Sequence, residues 1–225
     1  MKTPLALIPS TCLALLLAAA SAPAAEGWTI LFDGKSTEHF RGYKQKGFPT
    51  NNWKVADGTL HCLPKGGPDL VTVEKYESFD LEFEWKTSPG GNSGVMYRVA
   101  ETQGAPYQTG PEYQVLDDSK HGDGKNPKTS AGSLYALIAP SPAKQTKPVG
   151  EWNSSRILVN RDHVEHWLNG VKLLEYKWGS PEIKDLIAKS KFKGWPTFMG
   201  ETSGHIDFQA HGQEVWYRNI RVRRL

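Results

Sequence analysis

Residues 92–118 carry the densest set of side chains able to do chemistry. Asn92-Ser93-Gly94 leads into Val95-Met96-Tyr97-Arg98. After a loop comes Gly110-Pro111-Glu112-Tyr113-Gln114-Val115-Leu116-Asp117-Asp118. Alternate residues of an extended strand share a face, so Met96 and Arg98 fall together, as do Glu112 and Gln114. If the two strands pair, Arg98, Glu112 and Gln114 line one polar surface beside aromatic rings. A sugar needs that mixture, donors and acceptors for its hydroxyls and a ring face for its C–H surface. A solvated sheet face with an Arg–Glu pair is the other reading of the same residues.

Asp117, Asp118, His121 and Asp123 gather in or near the next loop. Their ligand types suit a divalent cation such as calcium, with Asp117, Asp118 and His121 as the metal candidates. The spacing is not that of an EF-hand, and a solvated acidic turn or a catalytic acid or base stays open. His166 shares a strand face with Val164 and Leu168, which fits a histidine at the edge of the core. His205, Asp207, Gln209 and His211 alternate with Ile206, Phe208 and Ala210, more polar groups on one face than solubility requires. No HExxH, GxSxG, Walker or GxGxxG pattern is present, so a zincin, a serine hydrolase and a nucleotide enzyme are not indicated.

The elements that must position these residues have a period of two. Phe79, Leu81, Phe83 and Trp85 alternate with Asp80, Glu82, Glu84 and Lys86, a half-buried strand. Strands are expected at 28–32, 53–56, 93–99, 112–116, 133–139, 155–160, 164–168, 171–176, 206–210 and 215–222. Asn169-Gly170 predicts a tight hairpin, since both residues tolerate positive φ, and Arg161-Asp162 another turn. One short helix is expected: Ser180 caps it, Pro181 takes its first position, and Gly194 can stop it. Long loops at 63–69, 119–131 and 140–150 are where a rigid sandwich would build a site.

The 225 residues suit one domain, and 24 aromatic residues (8 Trp, 8 Tyr, 8 Phe) can build its core. A net charge of +3 argues against a nucleic-acid partner. Residues 1–25 read as a secretory signal peptide, apolar from Leu5 to Ala20 with Ala22-Pro23-Ala24 as cleavage site, leaving 26–225 as the exported domain. The expected location is periplasmic or secreted, with no membrane insertion after cleavage. Cys12 falls inside the signal, so Cys62 alone cannot form an internal disulfide, and it is expected to pack as a small apolar residue.

A set of motifs in fixed order adds a resemblance. Leu31-Phe32-Asp33-Gly34-Lys35, Asn92-Ser93-Gly94, Gly110-Pro111-Glu112-Tyr113-Gln114, Gly150-Glu151-Trp152-Asn153, His166-Trp167-Leu168-Asn169-Gly170 and Tyr217-Arg218-Asn219-Ile220 together resemble the 3-keto-disaccharide hydrolase domain family. The resemblance spans about residues 27–225. It implies an all-β fold: a concanavalin-like jelly-roll β-sandwich of two curved antiparallel sheets, here with one short peripheral helix and a sugar groove on the concave side. It also implies cleavage of 3-keto-glycosides by proton abstraction at sugar carbon 2, elimination at carbon 1 and hydration. Glu112 or His166 would then transfer protons, and Arg98, Gln114, Tyr135, Gln209 and His211 would bind sugar oxygens. Trp152 would stack on a ring or sit in the core. The late run Phe208-Gln209-Ala210-His211 departs from the family pattern, which has an acid where Ala210 stands. A non-catalytic glycan-binding jelly-roll module is the alternative function.

Overall fold

The computed structural model describes residues 27–225; the expected signal segment, with Cys12, lies outside the described residues. Thirteen strands form two antiparallel sheets. They are β1 (Trp28–Phe32), β2 (Phe40–Gly42), β3 (Trp53–Ala56), β4 (Thr59–Cys62), β5 (Leu70–Thr72), β6 (Phe79–Thr87) and β7 (Asn92–Val99). Then come β8 (Glu112–Leu116), β9 (Asn153–Asn160), β10 (His163–Leu168), β11 (Val171–Lys177), β12 (His205–Phe208) and β13 (Val215–Arg224). The eight-stranded sheet runs β11-β10-β9-β6-β13-β4-β3, with β1 also on β13, and the five-stranded sheet runs β2-β5-β12-β7-β8.

The inner faces meet in an aromatic core. Phe83 of β6 packs edge-on against Tyr113 of β8 and Phe208 of β12, with ring centroids 5.7 and 6.1 Å apart. Phe79, Trp85, Tyr97 and Tyr217 are also fully buried. The β10–β11 hairpin turns through Asn169 and Gly170, both at positive φ (48° and 81°), as the dipeptide predicts. The helix α1 (Pro181–Ala188) begins where expected, Ile183 N–H donating to Ser180 Oγ at 3.3 Å. It ends six residues before Gly194, and a separate 3₁₀ turn (Lys191–Gly194) follows. Cys62 is buried on β4.

Several expectations change. Residues 133–139 are a tight turn, with Leu137 N–H bonded to Leu134 O and Ala136 at φ 60°; its apolar residues anchor a loop. β2, β4 and β5 were not anticipated: β2 and β5 have only three residues each, and β4 is buried at all four positions and so shows no alternation.

Arg98 does not share a face with Glu112. The register of β7 against β12 slips between the pairs His205–Val99 and Asp207–Met96, and Arg98 takes φ 52°. This bulge moves Arg98 off the outer face and puts Val99 there. Its guanidinium donates to Glu77 O (2.8 Å) and Arg161 O (2.7 Å) and stacks 4.5 Å from the centre of the Trp178 ring. It is 2% exposed.

His166 lies between the sheets, without exposure. Its Nδ1–H donates to Gly132 O at 3.2 Å, so Nε2 accepts from the Tyr97 hydroxyl at 2.8 Å. Burial lowers its pKa to about 4, and the ring is neutral at pH 7. Surrounded by Tyr97, Tyr113 and Tyr176, it is a structural core histidine rather than a groove residue. Trp152 sits away from the five-stranded sheet, between Arg218 (4.1 Å) and Lys86 (5.0 Å); neither expected place, ring platform or core, is where it lies.

Replacing Arg98 with Met removes the donors to two carbonyls in a packed region, and should cost about 2–3 kcal/mol of stability in urea melts. An unchanged urea midpoint would contradict this placement.

Candidate functional site

The outer face of the five-stranded sheet carries one continuous row. Cross-strand pairing sets Arg41, Val71, Asp207, Met96 and Glu112 side by side on β2, β5, β12, β7 and β8. Glu112 and Asp207 therefore flank Met96, their Cα atoms about 10 Å apart at the usual strand spacing. Val71, Met96, Val99 and Tyr43 form a small apolar cluster on the same face. Gly94, one turn of the alternation from Met96, leaves the room that the Glu112 side chain uses. A Cβ there would overlap the Glu112 carboxylate.

Loops wall this face into a groove with two joined lobes. The first, about 300 Å³, is lined by Asn92, Glu112, Tyr135, Lys191, Phe192 and Trp195. The second, about 350 Å³, is lined by Tyr43, Gly67, Pro68, Asp69 and residues 104–106. Tyr107, Gln209 and His211 border both. Each lobe is at the small end of the range for ligand sites. The Tyr107 and Trp195 rings lie 5.2 Å apart. Their loops are tied by Thr197 Oγ1 donating to Gln108 O (3.1 Å) and Met199 N–H donating to Thr109 O (2.8 Å).

Burial of carboxyl groups governs the groove's electrostatics. Burial pushes the Glu112 carboxyl up to about 8; Lys191 opposes the rise, while Asp69 and Asp123 add to it. Glu112 keeps some surface open to the groove even though protein surrounds it. Burial lifts Asp69 to about 6, against the pull of the Ala210 N–H and of His211. Asp207 has no exposed surface, and neither of its oxygens has a hydrogen-bond partner among the described residues. Its pKa is raised well above the ordinary carboxylate value, by burial and then by the charges of Asp69 and Glu112. Asn92 Oδ1, Gln114 Oε1 and Gln209 Oε1 are buried and unpartnered as well, polar atoms of the kind a ligand or ordered water satisfies.

Of the residues anticipated from sequence, the groove brings together Glu112, Tyr135, Gln209 and His211. Gln114 lies on the same face, paired opposite Gly94, but its amide donates to Thr129 O beneath the 119–131 loop. Tyr135 donates to Asp123 Oδ2 at 3.2 Å and carries Lys191 Nζ 4.3 Å over its ring. Asp117 accepts from Gly90 N–H, Ser119 N–H and the Ser119 hydroxyl. Asp118 pairs with Lys144 at 2.8 Å and accepts from Ala131 N–H. His121 Nδ1 caps a 3₁₀ turn. These three do not converge on one point; among the described residues the grouping with ligand atoms in mutual reach is His163, Glu165 and Glu175 on the β10–β11 hairpin. Asp69, Tyr107, Lys191 and Trp195 were not anticipated. A lone acid beside Gly66-Gly67-Pro68 was the available signal for Asp69. At Ala210, where the resemblance implied an acid, the backbone N–H donates to Asp69 Oδ1 at 2.7 Å.

The architecture is that of a concanavalin-like sandwich. A carbohydrate-binding module from Bacillus subtilis, CBM66, superposes with a TM-score of 0.51 at 11% identity, over 88% of this chain and 95% of its own. A much nearer structure, a candidate glycosyl hydrolase from Parabacteroides distasonis, gives a TM-score of 0.82 at 36% identity, over 89% of this chain and 94% of its own. The 3-keto-disaccharide hydrolase of Bacteroides thetaiotaomicron is 37% identical over 232 aligned positions, covering 89% of this chain and 79% of that protein. Residues 27–223 match the 3-keto-alpha-glucoside-1,2-lyase-like domain model, and the chain belongs to that family.

Asp207 should leave a signature in pH-dependent stability. In the fold it holds a proton that the unfolded chain releases above the ordinary aspartate value of 3.8. Stability from this group is therefore full below that pH and is lost as pH rises towards the raised folded value. Asp207→Asn removes the dependence. Relative to the parent, the variant should gain stability between pH 4 and pH 7, by at most about 1.4 kcal/mol per unit. Urea melts at both pH values measure this, and a parallel shift at both would refute the assignment.

Proposed function

We propose that this chain is an exported enzyme that cleaves 3-keto-glycosides, 3-keto-disaccharides among them, by elimination followed by hydration. The observation that carries the reading is Glu112: a proton-holding carboxyl with a pKa of about 8, on the floor of an aromatic-walled groove, in a member of this family. Export to the periplasm or beyond is part of the proposal and rests on the signal-like residues 1–25.

The chemistry follows from the ketone. A carbonyl at carbon 3 acidifies the hydrogen on carbon 2, so a general base can remove it and leave an enediolate. The charge on oxygen needs preorganised donors; the Asn92 and Gln209 amides and the Lys191 ammonium line the groove. Collapse of the enediolate expels the group on carbon 1. Its departing oxygen takes a proton from Glu112, protonated at neutral pH. Water then adds across the carbon 1–carbon 2 double bond. Tyr107 and Trp195 offer ring faces to the sugar, and Tyr135, Gln209 and His211 offer hydrogen-bonding groups.

The discriminating measurement compares a 3-keto-disaccharide with its unoxidised parent. Release should be faster from the keto-sugar; equal rates would end the proposal, and binding without turnover would leave a glycan-binding module. Glu112→Gln preserves volume and should lower turnover at least about 100-fold without a fall in melting temperature. As the acid must be protonated, the parent rate should decline as pH rises through about 8. Gly94→Ala should lower turnover by pushing the Glu112 carboxyl aside. The fold should persist, because the atoms displaced belong to one side chain and not to backbone. Normal turnover in Gly94→Ala would show that the Glu112 position is not critical.

A further inference from the structure

The proposed elimination needs a base as well as Glu112, and the second lobe of the groove supplies a candidate. We infer that Asp69 is the general base that takes the carbon 2 proton, with the oxidised ring in its lobe and the leaving group in the lobe of Glu112. This assignment rests on the 3-keto-glycoside reading above.

The geometry narrows the choice of base. Asp69 Oδ1 is held by the Ala210 N–H at 2.7 Å, which fixes the carboxylate at the start of β5. Among the described residues no other hydrogen bond and no cation pairs with its side chain, so the second oxygen is available in a lobe lined by Tyr43, Pro68, Pro106 and Gln209. The other acids nearby are engaged or sealed. Glu101 is gripped by both terminal nitrogens of Arg41, at 2.7 and 2.8 Å. Asp123 accepts from Tyr135. Asp207 has no surface facing the groove. The two lobes meet at Tyr107, Gln209 and His211, so a glycoside lying across them presents adjacent carbons, 2 and 1, to different carboxyl groups. The protonation states agree with this division. Near pH 7 Asp69, at about 6, is mostly ionised, and Glu112, at about 8, mostly holds its proton.

The steps balance. The carbon 2 hydrogen leaves to Asp69 as a proton, and its electron pair forms the carbon 2–carbon 3 double bond as the ketone oxygen takes the charge. That oxygen regains its double bond, the pair moves between carbons 1 and 2, and the carbon 1–oxygen pair departs with the leaving group. The departing oxygen takes the Glu112 proton. In hydration, water gives its hydroxyl to carbon 1 and a proton to Glu112, and Asp69 returns its proton to carbon 2. No oxidant or reductant enters.

The test uses a 3-keto-disaccharide in deuterated water, with carbon 2 exchange followed by NMR and cleavage by product release, against a protein-free control. Glu112→Gln should slow cleavage yet exchange the carbon 2 hydrogen faster than the control, since the enediolate forms and returns. Adding Asp69→Asn should lower that exchange at least about 100-fold. Asp69→Asn alone should lose both exchange and cleavage. Melting curves, with Asp69→Ser as a second variant, separate this from misfolding. If Glu112→Gln shows no exchange, or if the double variant exchanges like Glu112→Gln, Asp69 is not the base. If the parent protein neither exchanges nor cleaves keto-sugars, the functional reading itself fails.

Discussion

Three carboxyl groups crowd the groove and its floor, Asp69 and Glu112 lining the two lobes and Asp207 sealed beneath them, and that crowding sets the character of the site. A carboxylate removed from water loses solvation, and a second nearby charge makes ionisation harder again. Asp207, fully buried and without a hydrogen-bond partner among the described residues, is raised well above the ordinary carboxylate value and keeps its proton. Asp69 receives a backbone N–H and feels His211, so it ionises most readily of the three. Burial raises Glu112 to about 8, against the pull of Lys191. A groove that separates neighbouring carboxyl groups by about two pH units holds a donor and an acceptor of protons together near neutrality.

The scaffold sustains this by burying β7 on both faces. One face, with Val95 and Tyr97, belongs to the aromatic core. The other, with Asn92, Gly94 and Met96, floors the groove. The bulge at Arg98 is what allows both: it ends the groove row with Val99 and sends the guanidinium to backbone carbonyls and Trp178. A cation left beside Glu112 would have lowered its pKa towards ordinary carboxylate values. Gly94 makes the complementary contribution, leaving space for the Glu112 side chain across the strand. The walls are then fixed by chain segments far apart in sequence. The Arg41–Glu101 pair ties β2 to the loop that leads to Tyr107, and the segment after α1 brings Lys191, Phe192 and Trp195 over the floor.

Much of this was readable along the chain. Strict alternation in Phe79–Trp85 fixes which side of β6 is core, because a strand has a period of two and only one of its faces can meet the other sheet. Asn169-Gly170 and Ser180-Pro181 mark a turn and a helix start through backbone preferences that need no distant partner. The motif order from Leu31 to Ile220 carries the family, and alternation alone puts Glu112 and Gln114 on one face. The short strand β5 was invisible for the reason that hid Asp69: three buried residues between loops have no period, and a single acid beside glycine and proline looks like any turn.

What the tertiary structure alone decided concerns side chains whose role depends on a partner strand. Alternation placed Arg98 with Glu112, but a one-residue slip against β12 reversed it, and register is a property of the pair of strands rather than of either sequence. His166 could have faced a groove or the core; the position of β10 within the larger sheet, opposite Tyr97, put it in the core. The protonation of Glu112, Asp69 and Asp207 was not readable either. Desolvation and charge repulsion act through space between β5, β8 and β12, and only their adjacency in the folded sheet creates them. Sequence determined the strands, the turns and the kinds of group available; packing decided which of those groups meet, and how much water remains between them.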